Sequence, residues 1–290
     1  MRNTLVLANM TFREAIRRRI VLTGLLLGIC FLVIYSIGFH FIENQVHASE
    51  RAAELASDPA RQAAMHIAAS ESSNTLLLAG LYAVTFLSIA MAALLAADTL
   101  AGEINSGTIQ TIVTKPIRRA DVVFGKWLGF AVLLGLYVLL MGGGTVLSVL
   151  IQSGYVPNHL ATGLGLIYME ALLIMTIAMA CSSILSALAT GALVFGLYGL
   201  AFIGGWIEQI GAVLQNPTAV KVGIVASLLI PSETLWRRAA FEMQSPLAGV
   251  LGISPFGAVS VPSPLMIIYT GVYLLAALYI GLRIFNQRDI

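Results

Sequence analysis

Charged side chains are scarce in this sequence. Asp, Glu, Lys and Arg make up only 10% of the 290 residues, 58% are hydrophobic, and the mean hydropathy is +0.90. A water-soluble domain normally carries about 25% charged residues. The deficit leaves too little charge to cover a soluble globule of this size, so the composition predicts an integral membrane protein without a large soluble domain.

The sequence has few cysteines, a small net charge and none of the common catalytic motifs. Cys30 and Cys181 both lie within apolar runs, which is typical of small core residues rather than of a disulfide or a metal pair. The net charge is only +2 and no basic block suggests a nucleic-acid site, so nucleic acid is not expected as a partner. No Gly-x-x-x-x-Gly-Lys-Ser/Thr, His-Glu-x-x-His, Gly-x-Ser-Gly or Gly-x-Gly-Asp motif is present. We therefore expect neither ATP hydrolysis by this polypeptide nor an enzyme embedded in the membrane.

Long uncharged runs dominate what is present. Five runs contain no Asp, Glu, Lys or Arg, a sixth contains only Glu170, and each holds 19 to 24 residues. A helix of about 20 residues spans the roughly 30 Å hydrocarbon core of a bilayer. A tight turn near Ser182–Ser186, or alternatively at Thr190-Gly191, is expected to separate the fourth span from the fifth. The sequence thus predicts one all-α membrane domain over 1–290, with about six spans at 20–42, 76–97, 128–151, 160–183, 184–207 and 264–282.

The distribution of cations predicts the orientation. Eleven of the 16 Lys and Arg residues lie before the first span, between the second and third, or after the sixth. Because cytoplasmic loops carry the excess of cations, both termini are expected in the cytoplasm of a multi-pass protein of the cell membrane. The outer segments are then 43–75, which has helical character broken at Asp58-Pro59, and 208–263. The second contains a short apolar piece, Val222–Ile230, which cannot cross and is expected to be interfacial or re-entrant.

Residues 5–20 predict a helix lying on the cytoplasmic membrane surface. Apolar residues recur there at helical spacing, while Glu14 and Arg18 form a favourable pair four residues apart on the other face. The cations would lie near lipid phosphates, although Arg17–Arg19 could also serve only to fix topology. The residues of this predicted surface helix are Phe12, Arg13, Arg17, Arg18 and Arg19.

The connection between the second and third spans is predicted to contain a short amphipathic helix. Asn105-Ser106-Gly107 is a turn, and the following helix places Ile109, Ile112 and Val113 on one face before Pro116 ends it. Such a helix, held between two spans at the membrane surface, is suited to docking a partner. An ordinary connecting loop is the alternative.

The order of motifs in this connection resembles that of ABC-2 type ABC transporter permeases. An acidic residue after the second span is followed by Gly-Thr, Lys-Pro, Arg and Gly-Lys, and the stretch Thr11–Arg17 resembles the surface helix of that family. The residues that carry the resemblance are Glu103, Gly107-Thr108, Lys115-Pro116, Arg119 and Gly125-Lys126.

The resemblance implies a permease subunit that moves an unidentified substrate, with export favoured. It implies two partner ATPase subunits, which bind the ATP and Mg, and a second permease subunit that is identical or homologous. It also implies contact with membrane lipids and no cofactor bound to this chain. An ATPase complex that acts on an extracytoplasmic partner through 208–263 fits the resemblance as well, whereas the uncharged spans disfavour an ion-coupled carrier. The implied docking residues are Glu103, Gly107, Thr108, Ile109, Ile112, Lys115, Pro116, Arg118 and Arg119.

Two further groups are candidates for function. Glu170 is the one carboxylate within a span, so its side chain should face protein or water. It could lie along a substrate path or a dimer seam, or it could form a hydrogen-bonded contact between helices.

His40, Glu43 and His47 fall on one helical face at the outer end of the first span. They are weak candidates for metal ligands, since such a triplet arises easily by chance, and no metal site is predicted.

Overall fold

The computed structural model describes residues 2–55, 59–97, 99, 119–245, 247 and 256–287. All regular structure in these residues is helical. The helices, in chain order, are α1 (Arg2–Arg17), α2 (Arg19–Leu55), α3 (Pro59–Ala97), α4 (Arg119–Ser153), α5 (Leu160–Ser182), α6 (Ala187–Val213), α7 (Pro217–Leu229), α8 (Ser232–Met243) and α9 (Leu265–Gln287).

Six of these helices, α2 to α6 and α9, are long and apolar enough to cross a membrane. The all-α class and the presence of six helices able to span a membrane are therefore confirmed. The chain breaks between α5 and α6 at residues 183–186, where the Ser186 hydroxyl caps the new helix by accepting a hydrogen bond from the Ala189 amide. The predicted turn near Ser182–Ser186 is thus present, and Thr190-Gly191 lies inside α6.

Helices α2 and α3 are longer than a bilayer requires. They contain 37 and 39 residues, or about 55 Å each, against a hydrocarbon core of about 30 Å. The excess lies toward the C-terminal end of α2, at Leu55, and toward the N-terminal end of α3, at Pro59. Asp58 of the predicted break at Asp58-Pro59 lies outside the described residues. The Glu50 carboxylate of α2 lies 3.1 Å from the His47 ring in the same helix and 3.2 Å from the His66 ring of α3. The second contact joins the extended ends of α2 and α3.

Helix α5 lies at the centre of the bundle. It packs against α3, α4, α6, α8 and α9, and its core contacts include the hydrogen bond that the Trp127 indole of α4 donates to Thr176 at 2.9 Å. By contrast, only 11% of the apolar stretch of α2 is buried, compared with 61% for α3. The outer surface of α2 is therefore free to contact lipid or another subunit.

Helices α7 and α8 form a re-entrant pair. They are bent by 109° at residues 230–231, and α7 begins beside Gly211, close to the end of α6, while α8 ends beside Gly163, close to the start of α5. Because α5 and α6 are joined by a short turn, the end of α6 and the start of α5 lie on the same side of the bundle. The pair thus enters the bundle and returns to that side, and the predicted short apolar piece Val222–Ile230 lies in its first arm.

Helix α1 packs across the first half of α4. Gly125 and Gly129 allow the approach, because a Cβ on Gly125 would lie 2.7 Å from the Leu7 Cβ and one on Gly129 would lie 2.7 Å from the Ala8 carbonyl oxygen. Near the same contact Thr4 donates a hydrogen bond to Asp121 at 3.3 Å. The Gly-Lys pair of the sequence motif therefore contributes a close helix contact through its glycine.

Candidate functional site

The predicted docking segment lies outside the described residues, except for Arg119, where α4 begins. The prediction for Glu103, Gly107, Thr108, Ile109, Ile112, Lys115, Pro116 and Arg118 is therefore not tested by the structure. Its two flanking helices are described: α3 ends at Ala97 and α4 begins at Arg119. Any displacement of the segment would act directly on these two helices.

The N-terminal helix predicted from residues 5–20 is present as α1, and the chain breaks at Arg18 before α2. Arg13, Arg17 and Arg19 are exposed, Phe12 is half-buried against the core, and Arg18 pairs with Glu14 at 2.7 Å as expected. The side of α1 away from α4 exposes apolar side chains, which suits a helix in contact with lipid. These are Leu5, Val6, Met10 and Ile16.

The structure does not group the three candidate metal ligands of α2. His40 is hydrogen-bonded to Asn44, whereas the His47 ring lies between Glu43 and Glu50. Within the described ranges no set of three His, Cys, Asp or Glu side chains is placed to hold a metal ion.

A large apolar cleft opens between α2, α3 and α6. Its volume is about 1060 Å³, just above the usual range for small-molecule sites. Tyr82 and Phe86 of α3, Tyr198 and Phe202 of α6, and Phe256 form most of the aromatic part of its lining. The wall from α2 consists of the side chains of Thr23, Leu26, Leu27, Cys30, Phe31 and Ile34.

Glu170 lies behind the aromatic wall of this cleft. The residue is fully buried in α5, and neither carboxyl oxygen has a hydrogen-bond partner among the described residues. It is within electrostatic range of Tyr82 and Tyr198, which line the cleft, and of Glu233. Glu170 is thus a buried polar group beside the cleft, and the structure tests neither its predicted place in a substrate path or dimer seam nor its alternative role as a contact between helices.

A second buried polar cluster joins α6 to the re-entrant pair. Arg237 of α8 is 1% exposed and forms an ion pair with Glu208 of α6, while its other terminal nitrogen donates to Ser227 of α7. Glu208 also accepts a hydrogen bond from Ser260 at 2.7 Å. These contacts hold three helices and the following loop together inside the bundle.

The sequence did not reveal this cluster. Trp236-Arg237-Arg238 has the pattern of a charged outer loop and counted against the predicted orientation. In the structure Arg237 is neutralised by Glu208, and Arg238 pairs with Glu242. The available signal was the apolar run before Pro231, which indicated that this part of the outer segment could enter the membrane.

A further set of hydrogen bonds closes the bundle at the side where α5 begins. The Asn74 side-chain amide of α3 donates to the Tyr155 hydroxyl at 2.7 Å and to the Met243 carbonyl, and its oxygen accepts from the Ser245 amide. Burial, reinforced by the nearby Glu71 carboxyl, raises the pKa of the Tyr155 phenol. The phenol therefore remains neutral and available as an acceptor at physiological pH.

Comparison with known proteins places the chain in a family. A family model described as an ABC-2 family transporter protein matches residues 5–290. Two curated relatives, each named a probable ABC transporter permease protein NosY, come from Pseudomonas aeruginosa and Stutzerimonas stutzeri. They are 38% identical over 66 residues and 37% identical over 65 residues. These matches cover 23% and 22% of this chain and 24% of each relative, so the chain spans about a quarter of the length of the curated relatives it matches. Because the family model extends over nearly the whole chain, the protein belongs to the ABC-2 family of transporters.

Proposed function

We propose that this chain is a permease subunit that moves a substrate across or out of the membrane, using ATP hydrolysed by a separate subunit. The observation that carries the proposal is the large apolar cleft within a bundle of the ABC-2 family. A chain whose sequence contains no phosphate-binding motif needs an external source of energy to change the shape of such a cleft. ATP and Mg would be bound by the partner, and export is the favoured direction.

The route by which hydrolysis reaches the cleft follows from the helices. Segment 103–119 connects α3 directly to α4, and α3 carries Tyr82 and Phe86 in the cleft wall. A helix transmits displacement along its axis because its backbone hydrogen bonds keep it stiff. Movement of a docked ATPase against 103–119 would therefore shift one wall of the cleft relative to α2.

A second permease subunit, identical or homologous, would complete the cleft. The α2 wall is largely exposed within a single chain: Leu26 is 69% and Ile34 is 65% accessible. Two permeases with two ATPase subunits would cover this surface and supply a docking site for each ATPase. The alternative, action on an outside partner through 208–263, receives less support, because α7 and α8 of that segment are folded back into the bundle.

The docking proposal is tested by reversing one charge. Glu103→Lys is expected to abolish stable binding of the ATPase subunit and nucleotide-driven transport, because an acidic contact on the docking segment becomes repulsive. Glu50→Lys, at the far end of the α2–α3 hairpin, is the matched control and should leave binding intact. Retention of both ATPase binding and transport in Glu103→Lys would show that the docking assignment is wrong.

A further inference from the structure

Glu233 is a buried carboxylate with unused hydrogen-bonding capacity. It lies in the first turn of α8 and is 4% exposed. Its Oε1 accepts a hydrogen bond from the Tyr82 hydroxyl at 3.4 Å, while Oε2 has no hydrogen-bond partner among the described residues. Gly205 of α6 makes room for it, because a Cβ there would collide with the Glu233 Cγ. The backbone is thus adapted to hold a carboxylate at this point.

Carboxyl groups outnumber cations around Glu233. Glu170 and Glu208 are buried nearby, and the cation that faces this group is Arg237, which already pairs with Glu208 and contacts Ser227. The other buried cation of the described residues, Lys126, lies near the contact of α4 with α1, away from this cluster. Three buried carboxyls beside one guanidinium require either bound protons or a further cation.

The space beside Glu233 matches the size of an ammonium group. A cavity of about 10 Å³ lies between Glu233, Gln209 and the rings of Tyr82, Trp206, Trp236 and Phe256. That volume is close to what one water-sized group occupies, and a primary ammonium is such a group. The Tyr82 ring lies 4.9 Å from that of Trp236 and 5.8 Å from that of Phe256, centroid to centroid. Aromatic rings that surround a carboxylate attract cations both through the ring faces and through the charge.

The small cavity borders the large apolar cleft. Tyr82 and Phe256 line both, so these two rings separate the cleft from Glu233. A molecule whose apolar part occupies the cleft reaches Glu233 with its head group when one of the rings turns aside. The cleft itself is lined almost wholly by apolar and aromatic side chains, which provide no counter-charge. One end of the combined site is therefore acidic and the remainder hydrophobic.

We propose that Glu233 is the head-group site for an amphipathic primary amine, with the apolar part of the amine in the cleft between α2, α3 and α6. The role of the amine as a transported substrate rests on the proposed permease function, whereas its binding does not depend on the ATPase. A metal ion is a poorer occupant, since the described residues offer no set of three suitable ligands. A primary head group is favoured over a quaternary one because the cavity has the volume of a single small group.

The test is equilibrium binding of radiolabelled octylamine to the full chain in phosphatidylcholine nanodiscs, with unlabelled octanol as a neutral competitor. Nanodiscs that contain Glu233→Gln serve as the matched control for partition into lipid. The amide is isosteric and keeps an acceptor for Tyr82 but removes the charge. Affinity for octylamine should fall about tenfold or more, in line with the loss of a charge-assisted contact. Binding of octanol should not change.

A second variant separates loss of the site from loss of the fold. Gly205→Ala retains the carboxylate but displaces it, so it should also weaken octylamine binding while octanol binding persists. Equal octylamine affinity in the wild type and in Glu233→Gln would overturn the proposal and favour a protonated carboxyl at this position. Equal affinities of octanol and octylamine for the wild type would also overturn it, because the cleft alone would then account for binding. Neither result would affect the proposed association with an ATPase.

Discussion

At the scale of single residues, the ion pair of Arg237 and Glu208 is the main polar contact of the interior. Arg237 is 1% exposed and the Glu208 side chain 7%, so neither charge is solvated once the partner is lost. Breaking one side of a buried pair costs about 3–5 kcal/mol, far more than loss of a surface pair. The pair also fixes α8 against α6, which positions Glu233 beside the cleft.

Glu208→Gln should therefore lower the thermal stability of the purified protein strongly. The amide can still accept the hydrogen bond from Ser260, but the buried Arg237 loses the carboxylate that it contacts directly, at a cost of about 3–5 kcal/mol. Glu242→Gln, which breaks the more accessible pair with Arg238, is the control and should cost less than about 1 kcal/mol. Size-exclusion chromatography after heating measures both. Equal melting temperatures for the two variants would contradict the assigned burial of Arg237.

At the scale of helices, glycines determine how two elements approach each other. Gly129 lets the backbone of α1 contact α4, with the Ala8 carbonyl 2.7 Å from where a Cβ would lie, whereas a Cβ on Gly143 of the same helix would meet nothing within 4 Å. Both glycines lie inside α4, but only Gly129 is in contact with another helix. They form a matched pair for testing the placement of α1.

Gly129→Leu should displace α1 from α4, because an inserted side chain in a tight contact costs about 1–3 kcal/mol. The measurement is crosslinking of Thr4→Cys to Asp121→Cys by a short bismaleimide, in a background in which Cys30 and Cys181 are replaced. The yield should fall in Gly129→Leu and remain unchanged in Gly143→Leu. An undiminished yield in Gly129→Leu would show that α1 does not depend on this contact.

The re-entrant path of α7 and α8 makes a prediction about topology. Gln215 lies before the pair and Val259 after it, and both are exposed. Gln215→Cys and Val259→Cys, each as the single cysteine, should react with a membrane-impermeant maleimide from the same side of the membrane as His159→Cys. If α7 and α8 together crossed the membrane once, Gln215 and Val259 would react from opposite sides.

The sequence predicted the helices much better than the contacts between them. Uncharged runs predicted six long apolar helices, and the sequence also predicted the turn near Ser182–Ser186, because these signals are local. The path of α7 and α8 was left open between interfacial and re-entrant, since a short apolar run is compatible with both. The contacts of Arg237 with Glu208 and of Glu233 with Tyr82 could not be predicted. They join residues 29 and 151 positions apart, and only the tertiary fold brings these together.

At the scale of the whole molecule, the chain contains a cleft and the helices that line it, but its sequence contains no motif for nucleotide hydrolysis. One wall belongs to α3, which leads into the predicted docking segment 103–119, and the other to the largely exposed α2. We expect such a subunit to act only within a complex, where a second permease covers α2 and an ATPase moves α3.

The central claim is that this permease works with a separate ATPase, and purification of the tagged chain from its native membranes tests it most directly. Native mass spectrometry of the recovered complex should show two permease chains and two ATP-binding cassette subunits, and the complex should hydrolyse ATP. Recovery of the chain without a near-stoichiometric ATPase, while transport persists in the absence of nucleotide, would contradict the account.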